Sequence, residues 1–251
     1  MNDATEPGKT SWSELLTPRY SAATATLCLG VALFAFNGFL VSTSLPTAVR
    51  EIGGLELISW AFTLYLVLSI VGGASGALLK ARLGARPALV GSALVFLAGT
   101  LIAAFAASMT EVLIGRALQG LGEGIIAATC YALIPELFPS RLVAKVFGAE
   151  AVVWALAAFG GPLVSGLLTE HLSWRAAFLV NVPMALIFLA LVFRIVPKFS
   201  GEVQRLTVPF LRLSAIGCGI MLVAWPASCR PLPWRFCSWS PQLSFWLRSS
   251  Q

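Results

Sequence analysis

The chain has 251 residues, of which 58% are apolar and only 11% charged, and its mean hydropathy is +0.86. Soluble domains carry about 25% charged residues, so the composition excludes a water-soluble globular protein and indicates an integral membrane protein whose first partner is the lipid bilayer. A net charge of +6 would suggest nucleic acid in a soluble chain; in a membrane chain the placement of charge decides, and no nucleic acid is expected.

The first 21 residues mix acids and bases and read as a cytoplasmic N-terminal segment. A helix of about 20 apolar residues crosses a bilayer, because lipid offers no partner to unpaired backbone groups. Six stretches qualify, roughly 22–45, 58–79, 88–107, 112–134, 147–168 and 176–196. The first is too long for a signal-peptide core and lacks a convincing cleavage site, so it is read as a retained helix. The connections are short and rich in Gly, Pro and charge, as at 46–57 and 135–145. Residues 22–196 thus form one six-span unit, followed by a cytoplasmic linker at 197–212.

A seventh apolar stretch, 213–225, stops after thirteen residues and predicts an incomplete helix. Beyond it the composition changes. Residues 226–251 hold four Pro, three Trp and six Ser, with no Gly, Val, Ile, Asp, Glu or Lys. This aberrant tail suggests a truncated or frame-shifted product whose second half is missing.

Orientation follows from Lys and Arg, which are retained on the cytoplasmic side. With the N-terminus inside, the inner segments hold eleven (Lys9, Arg19, Lys80, Arg82, Arg86, Arg141, Lys145, Arg194, Lys198, Arg205, Arg212), and the outer loops hold Arg50 and Arg175. The expected location is the plasma or inner membrane, multi-pass, with both ends of the unit cytoplasmic. The single His171 and five cysteines (Cys28, Cys130, Cys218, Cys229, Cys237) contain no C-x-x-C. They give no basis for a metal site or a disulfide framework, and no cofactor is expected.

A shift of 89 residues lays the second three spans on the first. Pro46 meets Pro135, Gly72 meets Gly161, Leu83 meets Leu172 and Arg86 meets Arg175. The paired spans run in opposite directions, so the fold class expected is an all-α membrane protein, a six-helix bundle of two inverted three-helix repeats. Such repeats are a transporter feature, because two units can rock about a central site.

Four motifs sharpen this. Arg116-Ala117-Leu118-Gln119-Gly120-Leu121-Gly122 has the form R-x-L-Q-G-x-G on the fourth span. Lys80-Ala81-Arg82-Leu83-Gly84-Ala85-Arg86 forms a basic loop between the second and third. Gly160-Gly161-Pro162-Leu163-Val164-Ser165-Gly166 lies on the fifth, and Trp174-Arg175-Ala176-Ala177-Phe178-Leu179-Val180-Asn181-Val182-Pro183 opens the sixth. In this order they resemble the N-terminal half of a major facilitator superfamily transporter, nearest its drug:proton antiporter branch. The resemblance covers about residues 20–225. It implies half of a facilitator-type fold, with Arg82, Gly84, Arg86, Glu136, Gly161, Pro162 and Asn181 as gate and motif residues. Three positions depart from the family pattern. Ala81 replaces the loop Asp, Asn37 replaces an Asp of the first helix, and Ser165 replaces a Gly.

Ionisable groups at membrane depth cost about 2.5–3.5 kcal/mol on insertion scales, so each invites a functional account. The candidates are Arg116, Glu123 and Glu150. Arg116, Gln119, Gly120 and Glu123 share one face of the fourth span at 3.6 residues per turn. One reading puts Arg116 in a central cavity, Glu123 as proton carrier in place of the acid missing at 37, and Asn37 facing Arg116. The other is a structural Arg–Glu pair. Glu150 is a candidate proton site, with a side chain snorkelling toward Lys145 or Arg141 as the favoured alternative. Glu136 is the expected partner of Arg82 and Arg86. Trp60, Phe62, Tyr65 and Trp154 either line a cavity or face lipid.

The function expected is a transmembrane transporter exporting a small organic or drug-like compound against protons. The alternative is a non-transporting half that needs a second half or self-association, because facilitator-type pathways form between two halves. A membrane enzyme would need clustered His, Asp or Glu, and a pore would need a ring of like charges or a filter loop; the sequence presents neither pattern.

Overall fold

The computed structural model describes residues 11–196 together with Ala215 and Gly219. The expected linker, incomplete seventh helix and tail lie outside the described residues. A short 3-10 helix, Trp12–Leu16, precedes α1 (Ser21–Ile52), α2 (Ile58–Leu83), α3 (Ala85–Ala104), α4 (Met109–Leu137), α5 (Ser140–His171), α6 (Trp174–Leu179) and α7 (Asn181–Ile195). Among the described residues, six spans are long and apolar enough to cross a membrane, the sixth being α6 and α7 in tandem from Trp174 to Ile195.

Local chemistry sets the helix ends. Ser108 caps α4, its hydroxyl accepting from the Glu111 N–H at 3.4 Å, while the Glu111 carboxylate reaches back to the Ala107 N–H at 2.8 Å, a variant of the reciprocal capping box. Ser173 caps α6 in the same sense, accepting from the Arg175 N–H. Gly84, the glycine of the basic loop, sits between α2 and α3 at φ +89°, a backbone region open to glycine and costly for other residues.

The spans reach further than apolar length alone suggests. The loops expected at 46–57 and 135–145 are shorter, because α1 continues through Pro46 to Ile52 and α4 through Pro135 to Leu137. A proline removes one helix hydrogen bond, but the turn after Pro46 is anchored by packing. Leu45, Ala48 and Val49 join Trp174 and Phe178 in one apolar cluster. The fifth span likewise begins at Ser140 and not near 147. Its first turns carry Arg141 and Lys145, which hydropathy discounts; Arg141 pairs with Glu14 at 3.5 Å, and Lys145 lies over the Trp12 ring at 6.0 Å.

The packing carries the inverted repeat. Helix α2 runs along α4 as α5 runs along α1, and α3 meets α4 as the sixth span meets α1. Small residues permit the approach of α2 to α4: a Cβ on Gly120 would lie 2.2 Å from the Tyr65 carbonyl oxygen, and one on Gly124 2.1 Å from that of Ser69. In lipid, such backbone contact is a main source of helix association. At Gly161 a Cβ would meet that of Phe39 at 2.7 Å, so this glycine brings α5 against α1. Pro162 lies inside an uninterrupted α5. One turn further, the Ser165 hydroxyl donates to the Leu40 carbonyl at 2.6 Å. The serine that departs from the family pattern therefore ties the two helices together.

Two polar clusters mark the ends of the bundle. At the end rich in Lys and Arg, Lys80 donates to the Ala132 carbonyl at 2.9 Å and pairs with Glu136. At the opposite end, Glu51 accepts from Trp174 Nε1 at 2.8 Å and pairs with Arg175, which also donates to the Ala106 carbonyl at 3.2 Å. This cluster joins α1, α6 and the connection between α3 and α4.

Candidate functional site

Helix α4 supplies the polar centre of the bundle. Arg116 is 1% exposed, and Gln119 and Glu123 are fully buried. Arg116 lies two turns inside the helix and Glu123 near its middle. The guanidinium donates to Gln119 Oε1 at 2.8 Å, and Gln119 Nε2 donates to the Thr100 hydroxyl of α3 at 3.0 Å. Thr100 in turn donates to the Phe96 carbonyl at 2.9 Å. The other face of the guanidinium covers the Tyr65 ring of α2, 3.8 Å from its centroid, a cation–π contact that gains strength where water is excluded. The Arg116 Nε has no hydrogen-bond partner.

Glu123 belongs to a second, adjoining network. Its Oε2 accepts from Asn37 Nδ2 of α1 at 3.2 Å, and Asn37 Oδ1 accepts from Asn181 Nδ2 of α7 at 3.4 Å. Its Oε1 has no partner. Asn37 therefore faces Glu123 and not Arg116 as expected, because the register of α1 places it one network further into the bundle. Among the described residues no ion pair joins Arg116 to Glu123, so the simple structural pair is absent. Asn181, expected only as a motif residue, fixes the orientation of Asn37. It does so from the first turn of α7, directly after the break at Val180 that divides the sixth span. Thr100 carried no motif, and only its place opposite Gln119 reveals its role.

Beside these networks lies a cavity of about 330 Å³ lined by Phe34, Phe39, Phe62, Tyr65, Arg116 and Trp154 among others. Its volume falls at the lower end of small-molecule sites. Tyr65 forms its boundary with the polar centre: the ring stacks on Phe34 at 6.1 Å and carries Arg116, and the hydroxyl lies beside Glu123. Phe62, Tyr65 and Trp154 line the cavity as one sequence reading allowed, whereas Trp60 is not among the lining residues. Phe34 and Phe39 went unnoticed in a helix made mostly of apolar residues.

The remaining candidates lie apart from this centre. Glu136 pairs with Lys80, which faces α4 from the last turn of α2, and not with Arg86. Arg86 turns to the Phe193 ring, 5.4 Å from its centroid. Glu150 does not snorkel. It is ten residues inside α5, nearly three turns, and 2% exposed, and neither carboxyl oxygen has a partner.

Residues 27–246 match the family model described as Major Facilitator Superfamily. The chain belongs to the Major Facilitator Superfamily. It is 38% identical over 220 residues to an uncharacterized MFS-type transporter of Mycobacterium tuberculosis, covering 84% of this chain and 31% of that one. It is also 38% identical over 175 residues to a probable multidrug-efflux transporter of the same species, covering 70% and 36%. The chain thus spans about a third of the length of these relatives. The proton:xylose symporter XylE superposes with a TM-score of 0.64 at 19% identity, over 83% of this chain and 51% of that one. At that identity the likeness establishes the fold, half of a facilitator. The protein is a multi-pass membrane protein of this superfamily.

Proposed function

We propose that this transporter exports a small organic, drug-like compound in exchange for protons, with Glu123 as the proton carrier. The bilayer is the plasma or inner membrane, with the basic end of the bundle facing the cytoplasm, as the excess of Lys and Arg there favours. The observation that carries the reading is the arrangement around Tyr65. An aromatic cavity lies on one side of its ring, Arg116 rests on the ring, and a buried carboxyl with one free oxygen lies beside its hydroxyl.

The geometry supplies a coupling route. An apolar, ring-bearing compound in the cavity stacks on Phe34 and Trp154 and displaces Tyr65. Displacement of Tyr65 frees Arg116 to approach Glu123, and a cation near the carboxyl favours its charged form, releasing the proton. Reprotonation restores Arg116 to Tyr65 and closes the cavity to substrate. Each charge moved across about 100 mV supplies about 2.3 kcal/mol.

The test is Glu123→Gln in proteoliposomes with an imposed proton gradient and a fluorescent substrate dye. Gradient-driven transport should fall at least about tenfold, the equivalent of about 1.4 kcal/mol, while dye binding persists. Full pH-dependent transport by this variant would remove Glu123 from the carrier role. A second reading is favoured by the share of its relatives that the chain spans, about a third. In it, this polypeptide binds substrate but completes transport only with a second half or a second copy.

A further inference from the structure

Glu150 is a buried carboxyl that the coupling route leaves unused. It is 2% exposed, and neither carboxyl oxygen meets a hydrogen-bond donor. Among the described residues no ion pair reaches it. Facing it are Cys28 from α1, and Cys130 and Tyr131 from α4, none of them a cation. Charges on the other elements that pack against α5 are placed elsewhere. Glu14 of the 3-10 helix pairs with Arg141, and Arg175 of α6 pairs with Glu51 at the opposite end of the bundle. On α5 itself, Lys145 lies over the Trp12 ring. A carboxylate left uncompensated in such a place costs several kcal/mol, whereas a carboxyl that keeps its proton does not carry that cost.

Position connects this group to the transport site. Trp154 follows Glu150 by four residues, on the same face of α5, and lines the cavity. Cys28 precedes Asn37 by nine residues on α1, and Cys130 follows Glu123 by seven on α4. At about 1.5 Å per residue, the cysteines facing Glu150 lie roughly 10–14 Å further along the bundle than Glu123 and Asn37, toward the basic end.

We propose that Glu150 is a second proton-binding carboxyl, one helical turn from the cavity-lining Trp154 and placed between Glu123 and the basic end of the bundle. When that end opens, water reaching Cys130 and Tyr131 accepts the Glu150 proton as hydronium and solvates the carboxylate left behind. As it closes, the carboxylate takes a proton back from hydronium in that water before the water leaves. The place of this exchange in a transport cycle rests on the proton-coupled reading; the exchange itself does not.

The test is infrared difference spectroscopy of the full chain in lipid nanodiscs, titrated with alkali, for the wild type, Glu150→Gln and Glu123→Gln. Glutamine keeps the size and neutrality of a protonated acid, so both variants should remain folded, as their size-exclusion profiles would check. The protonated-carboxyl band lost on titration should have two components, one missing in E150Q and the other in E123Q. An E150Q difference spectrum that superimposes on the wild type would overturn the proposal. Loss of a component in E150Q but none in E123Q would support the second site while counting against Glu123 as carrier.

Discussion

At the scale of single residues, the polar centre is held by side chains with specific neighbours on other helices. Gln119 connects a buried cation to Thr100. Gln119→Ala removes an acceptor from Arg116 and leaves a fully buried guanidinium N–H unpaired, at a cost of about 1–3 kcal/mol. The melting temperature of the detergent-solubilised protein should fall, and an unchanged value would mean that Arg116 finds another acceptor. The residues of this centre were legible in the sequence because membrane depth makes charge and amide groups stand out: Asn37, Arg116, Gln119, Glu123 and Asn181 were all singled out. Their partners were not legible. Asn37 was expected to face Arg116 and faces Glu123, since partner choice depends on helix rotation and crossing angle, which are set by packing between helices distant in sequence. Glu150 shows the same limit. Its proximity to Lys145 in sequence suggested a snorkelling side chain, whereas the helix begins two turns earlier than hydropathy implies and carries the carboxyl inside.

At the scale of elements, the membrane requirement made the helices easy to locate and their ends hard to place. Apolar length locates a span, but Pro46 and Pro135 looked like loop residues and are instead accommodated within α1 and α4. The division of the sixth span at Val180 leaves no hydropathy signal, yet it presents Asn181 to Asn37. Contacts between spans rest on few devices. The Ser165–Leu40 bond between α5 and α1 is one of them. Ser165→Ala should destabilise the protein by about 0.6 kcal/mol and at most about 1.7 kcal/mol, the range measured for hydrogen bonds between membrane helices. Thermal unfolding in detergent would show it. A loss well beyond that range would assign Ser165 a further role, because alanine retains the small side chain that the α1–α5 approach requires.

At the scale of the whole molecule, two inverted three-helix repeats enclose one buried polar centre and one aromatic cavity, with a polar cluster at each end. The repeat was readable as matching prolines and glycines 89 residues apart because those residue types report on helix approach and helix ends. The ends of the bundle are joined differently: Lys80–Glu136 connects α2 to α4, whereas Glu51, Trp174 and Arg175 connect α1 to α6. Both clusters join the first repeat to the second, one at each end of the bundle. The central claim is that such a bundle moves a compound at the expense of a proton gradient. Its most direct measurement is the loss of a fluorescent dye from cells expressing this chain, with a collapsed-gradient control. The account predicts dye loss that depends on the gradient and disappears when it is collapsed. No flux from a stably inserted protein would contradict it, and the family motifs would then describe the ancestry of this chain and not its activity.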